Sequence, residues 1–222
     1  MDTRTFISLE NKIAANVPGC PRPTIEQFVR DIAIEVCEKT LVWRYEQDPI
    51  ILTPGIYEYE YDIPANSEVV AVIHAALNSG TEFLATLDPA VQEDLHRMYP
   101  DWPSEDINKR STPRFIGQFD PDHFVVAPVP DNSRRYSAKM FLALKPTPTA
   151  LGMSKTAFDE CEMLITHGVL QHLHTLPNKS WTDYDLASYH AKQYTYKTAL
   201  RRAKTNLGAT RAPLTARMAP FA

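Results

Sequence analysis

The spacing of apolar residues along this chain changes twice. Phe6, Leu9 and Ile13 recur at intervals of 3 and 4, which predicts a short first helix. The turn "NVPGCPRP" separates it from a longer helix. There Ile25, Phe28, Val29, Ile32, Val36 and Thr40 form one stripe, and Ile34 and Leu41 add a second. So wide an apolar surface predicts a helix over residues 25–43, buried on more than one side. Thr24 and Gln27 stand at capping-box spacing at its start.

The period then drops to two. In "IYEYEYDIP", Tyr57, Tyr59 and Tyr61 face one way and Ile56, Glu58 and Glu60 the other. "EVVAVIHAAL" reads as a more apolar strand, and "NSG" at 78–80 as a hairpin turn into "TEFLATL". Asp88-Pro89 opens a short helix that Pro100 stops. "FVVAPVPDNSRRYSAKMFLALKP" predicts a β-hairpin, in which Tyr136, Ala138, Met140, Leu142 and Leu144 alternate onto one buried face. Five or more short strands are enough for a small sheet or sandwich.

The helical period returns for two long helices. The first covers about 156–176, with Phe158, Cys161, Ile165, Gly168 and His172 on one stripe. "LPNKS" connects it to the second, where Ser180 and Asp183 resemble an N-terminal box. The second carries Leu186, Tyr189, Gln193, Tyr196, Leu200, Ala203 and Leu207, a two-heptad seam with a polar break at Gln193. Gly208 ends it. The predicted fold is α+β: a helical bundle over 1–45 and 150–208, an inserted small antiparallel sheet or sandwich over 46–149, and an extended tail over 209–222.

Composition supports this division. Only one of the 18 prolines, Pro177, lies between 151 and 212, and proline is excluded from helix interiors. The start of the chain lacks the continuous apolar run of a signal peptide, and no stretch approaches the ~18 apolar residues of a membrane span. Cys20, Cys37 and Cys161 are odd in number and widely spaced, so reduced thiols are expected rather than a disulfide framework or a zinc site.

Charge is more informative by position than in total. The net charge is −4, but no acidic residue follows Asp185. Lys192, Lys197, Arg201, Arg202, Lys204, Arg211 and Arg217 make that last segment +7, leaving 16 basic against 27 acidic residues before it. Leu214, Met218 and Phe221 are interleaved with the last two arginines. Such apolar anchors suit a peptide that docks in a partner's groove. The segment could also grip nucleic acid.

Candidate chemistry is sparse. His167 and His174 are seven residues apart on a helix, roughly 10 Å along its axis, and His172 and His174 point to different faces. They are expected in a core or interface rather than around one metal ion. Asp120, Asp122 and His123 in "FDPDHF" suit ordinary turn chemistry. Nucleophile elbows, Walker loops and dinucleotide fingerprints are absent, and seven glycines leave little for a phosphate cradle. No cofactor, metal or catalytic residue is assigned. Tyr57, Tyr59 and Tyr61 alternate with glutamates that would repel phosphate, so they are expected to pack in a sheet or at a protein interface.

Four stretches together resemble phage head-to-tail adaptor proteins, the group that includes podoviral tail tubular protein A. In "VPGCPRPTIEQFVRDIAIEVCEKTLVWR" the family-like positions are Pro18, Gly19, Pro21, Cys37, Thr40 and Trp43. "YEYDIPANSEVVAVIHAALNSG" resembles the family's strand–Pro–strand passage. "DHFVVAPVPDNSRRYSAKMFLALKPT" resembles its Pro-x-Pro hairpin, and the following helix fits too. The likeness spans about 6–207; Val36 departs from it, where the family often has an aromatic residue.

The resemblance implies a non-enzymatic ring, usually of twelve copies, beneath the portal of a DNA-filled capsid at the virion neck. Its partners would be itself, the portal protein and the tail nozzle or tube, with genomic DNA passing through without specific binding. Arg201, Arg202, Lys204, Arg211, Leu214, Arg217, Met218 and Phe221 are then expected to face the portal. Tyr57, Tyr59, Tyr61, Arg134 and Arg135 are expected to face the tail or a neighbouring copy. Two other readings stay open: a DNA-binding module built on the last helix and tail, and another neck or tail-completion ring.

Overall fold

The computed structural model describes residues 2–103 and 106–207. After a short strand β1 (Thr3–Thr5), helix α1 (Ile7–Ala14) buries Leu9 and Ile13. Helix α2 (Arg22–Thr40) starts earlier than its pattern predicts. Pro21, in extended conformation, is its N-cap, and Pro23 occupies the first turn, where a missing N–H costs nothing. The Thr24–Gln27 capping box does not form, because Thr24 is already helical and its N–H donates to the Pro21 carbonyl at 3.1 Å. The helix also ends before Trp43. Leu41 sits in the left-handed region at φ 51°, and its N–H closes on the Cys37 carbonyl at 2.9 Å. That sharp exit sends Trp43 into a strand and into the core.

The middle of the chain runs, in order, through β2 (Trp43–Leu52), β3 (Glu58–Glu60), β4 (Ser67–Ser79), β5 (Glu82–Thr86), β6 (Asp88–Pro89), helix α3 (Gln92–Met98), β7 (Phe115–Gln118), β8 (His123–Ala127) and β9 (Tyr136–Pro146). They form two four-stranded sheets, ordered β2-β9-β4-β5 and β3-β8-β7-β6. The first is wholly antiparallel, and its interior strand β9 keeps Tyr136, Ala138, Met140, Leu142 and Leu144 completely buried, as their alternation predicts. The β4–β5 hairpin turns where "NSG" places it, with Gly80 at φ 61°, a conformation that costs glycine little.

The predicted hairpin over 124–146 does not form. Strand β8 belongs to the second sheet, between β3 and β7, while β9 belongs to the first, between β2 and β4. Both edges of each strand are thus occupied by other partners. Pro128 and Pro130 lack the N–H donors a returning strand would need. The bridge between the sheets is fixed by Asp131, whose Oδ1 accepts from the Ser133 N–H at 3.0 Å, the Ser133 hydroxyl at 2.7 Å and the Tyr136 hydroxyl at 2.9 Å.

The chain closes with strand β10 (Gly152–Ser154), which pairs with β1, helix α4 (Lys155–Thr175) and helix α5 (Tyr184–Leu207). One continuous core joins α1, α2 and α4 to the first sheet and reaches Ile116 and Phe124 of the second. A smaller cluster around Leu95 and Trp102 fills the far side of the second sheet. Helices α1 and α5 both pack on α2 and α4. They meet α4 on different sides. Phe158 faces Phe6 beside α1, and His167 faces His190 on α5. Residues 158 and 167 lie half a turn apart around a helix. The helical layer therefore has two flanks, one made by α1 and one by α5.

Candidate assembly surfaces

Helix α5 is inverted relative to ordinary amphipathic packing. Its inner face carries Ala187, Tyr194 and Thr205, with Arg201 only slightly exposed. Arg201 makes an ion pair with Glu160 of α4, and burial lowers its guanidinium pKa. Arg44 of β2 donates to the Thr205 carbonyl at 2.6 Å. The apolar seam turns outward: Leu186 and Tyr189 are exposed, Tyr196 is 67% exposed and Leu200 58%. Tyr194 in the core, the Arg201–Glu160 pair and the Arg44 contact hold the helix down. On its outer side Tyr189 meets the His167 ring at 6.3 Å, while Leu186, Tyr196 and Leu200 stand exposed. The sequence pattern correctly groups these positions but not the direction in which they point. Packing of an isolated stripe is decided by what lies beneath it.

The residues expected to face the portal divide accordingly. Arg201 is tied to α4. Arg202 and Lys204 are exposed, with no ion pair among the described residues. Arg211, Leu214, Arg217, Met218 and Phe221 lie outside the described residues.

The three tyrosines are largely used by the fold. Tyr61 is buried and packs on Phe124 with ring centres 5.1 Å apart. Tyr59 stacks on the same ring at 5.5 Å, and its hydroxyl donates to the Ile56 carbonyl at 2.8 Å. Burial pushes its phenol pKa up to about 12. Tyr57 meets Trp102 edge-on at 5.5 Å. Arg134 and Arg135 are exposed on the bridge between the sheets, beside the end of β2. Arg134 reaches Glu82 at 3.8 Å. This second group thus contributes two exposed cations and, from Tyr57 and Tyr59, only partly open rings.

The histidines also separate. His174 Nδ1 lies 2.8 Å from the Trp181 carbonyl, and His172 stacks on Phe28. His167 Nδ1 lies 2.8 Å from Nδ1 of His190, a residue the sequence pattern did not single out. One nitrogen must donate and the other accept, so both rings cannot carry a proton at Nδ1 together. Burial, then Lys197 and Lys12, lowers the His167 pKa; burial, then His167 and His174, lowers that of His190. Unfolded histidines take up protons as pH falls through about 6.5, whereas the folded pair resists until lower pH. Stability linked to the pair is therefore present at neutral pH and lost on acidification. The melting temperature should fall between about pH 7.5 and pH 5.5, and His190→Gln should flatten that fall. Identical slopes for both proteins would refute it.

Asp120, Asp122 and His123 form the expected turn: Asp120 Oδ1 accepts from the Asp122 N–H at 2.9 Å and the His123 N–H at 2.7 Å. Cys37 and Cys161 are buried, and burial raises both thiol pKa values. Among the described residues, no helix is long and apolar enough to cross a membrane.

The described residues thus form a mixed helix-and-sheet fold with two helical flanks and two groups of exposed cations. A model of phage adaptor proteins, described as SU10 adaptor protein, matches residues 4–219. The chain belongs to the SU10 adaptor protein family. No curated protein matches it.

Proposed function

We propose that this adaptor works without turnover, as a ring beneath the portal at the virion neck that extends the DNA channel and carries the tail nozzle or tube. The observation that carries this reading is the outward apolar seam of α5, where Leu186, Tyr196 and Leu200 stand exposed. A monomer gains nothing from exposing Tyr196 and Leu200 together; a subunit with a neighbour does. The family membership supports the location, and the net charge of −4 suits a channel that lets DNA slide without phosphate contacts. Arg202 and the basic residues of the tail, Arg211 and Arg217, would leave the channel wall and run along the portal, and the second sheet with Arg134 and Arg135 would face the tail.

Negative-stain microscopy of the protein alone and mixed with its cognate portal tests the reading. Rings on the portal are expected, and a protein that neither forms rings nor binds the portal overturns it. Truncation after Gly208 should abolish portal attachment while leaving circular dichroism unchanged; unimpaired attachment would refute the role of the tail. A second reading, binding of duplex DNA, draws on Lys192, Arg202 and Lys204, exposed and with no ion pair among the described residues. Salt-dependent DNA affinity of the isolated protein would favour it.

A further inference from the structure

We propose that the exposed stripe of α5 in one copy docks into the groove beside α1 of the next copy, so that the two helical flanks of a single chain form one head-to-tail contact. This rests on the ring reading above and names the surfaces that build it.

The groove lies between the start of α1, the first turns of α2 and the loop before β10. It holds about 240 Å³. Ile7, 59% exposed, and Leu151, 75% exposed, stand at its rim. Its lining adds Glu10 and Glu26 against a single arginine, Arg30. The Glu10 carboxyl pKa is raised by burial and next by the charge of Glu26, with Arg30 and Arg22 pulling the other way.

The α5 stripe supplies what the groove lacks. Around a helix, Lys192 and Lys204 fall on either side of Tyr196 and Leu200. Both lysines are exposed, neither has an ion pair among the described residues, and no acid follows Asp185. Two α5 stripes cannot pack on each other without placing these like charges together. A partner with apolar rims and carboxylates can accept the stripe. Because the two complementary surfaces lie on different flanks of one subunit, the contact is heterologous and propagates around a ring.

Two double variants test the pairing. Tyr196→Glu with Leu200→Glu blocks the stripe, and Ile7→Glu with Leu151→Glu blocks the groove. All four positions are exposed, so circular dichroism and melting temperature should stay near wild type. Each variant should lose rings on the portal by about tenfold or more, the effect of ~1.4 kcal/mol at every contact. A carbodiimide, which joins a lysine directly to a carboxylate, should link peptides containing Lys192 or Lys204 to peptides containing Glu10 or Glu26 in wild-type rings. Rings that persist in both variants, or cross-links that join those lysines only to other acids, overturn the pairing while leaving the ring reading intact. A wild-type chain that never forms rings overturns both.

Discussion

Gly168→Leu is expected to destabilise the protein by about 3 kcal/mol or more, lowering the melting temperature by roughly 6–12 °C. At Gly168, α4 lies close to both α2 and α5. A Cβ there would stand 2.6 Å from Ile32 Cγ2 and 3.1 Å from the Tyr194 ring. Alanine gains about 1 kcal/mol in helix propensity, but its Cβ would already overlap Ile32 Cγ2, a methyl on a stiff β-branched carbon, so Gly168→Ala should be milder than leucine yet still destabilising. Leucine must push α2 and α5 apart. It would also tilt α5, so ring formation should fail along with stability. Thermal melts and urea titrations of the two variants check this. A leucine variant within about 2 °C of wild type would mean that the helices do not meet there.

Phe124→Ala should cost about 3–5 kcal/mol, the usual loss for a fully buried aromatic side chain. Phe124 is completely buried in β8 and receives Tyr59 and Tyr61 on its ring. It belongs to the continuous core that reaches from the helices into the second sheet, so its removal loosens the two sheets from each other. If the tyrosines served only an external partner, Phe124→Ala would spare stability and weaken tail binding alone. Equilibrium unfolding read by tyrosine and tryptophan fluorescence separates these outcomes: an unfolding free energy within about 1 kcal/mol of wild type would show that the rings contribute little to the fold.

Much of this architecture is legible in the sequence where the signal is local. The alternation from Tyr136 to Leu144 identifies the buried face of β9, and Gly80 marks the β4–β5 hairpin. Where partners come from elsewhere in the chain, the pattern fails. Nothing within 124–146 says that β8 will pair with β3 and β7, because strand pairing depends on segments dozens of residues away. The ending of α2 at Thr40 depends on Leu41 accepting a left-handed conformation, which the burial of Trp43 rewards but helix periodicity cannot register. For α5, spacing shows which residues share a face. The positions of Glu160 and Arg44, and the space that Gly168 leaves for Tyr194, bear on which face turns inward. The candidate surfaces are less legible still: Ile7 and Leu151 are far apart in sequence, and the chain before β10 brings them to one groove.

Strand β8 passes directly into β9 over a short bridge pinned at Asp131. Tension applied to the small sheet is therefore delivered onto the most deeply seated strand of the large one. There it acts along the strand and loads two ladders of backbone hydrogen bonds in shear. A hairpin would have peeled open one bond at a time. This connectivity makes the second sheet a mechanical handle on the first.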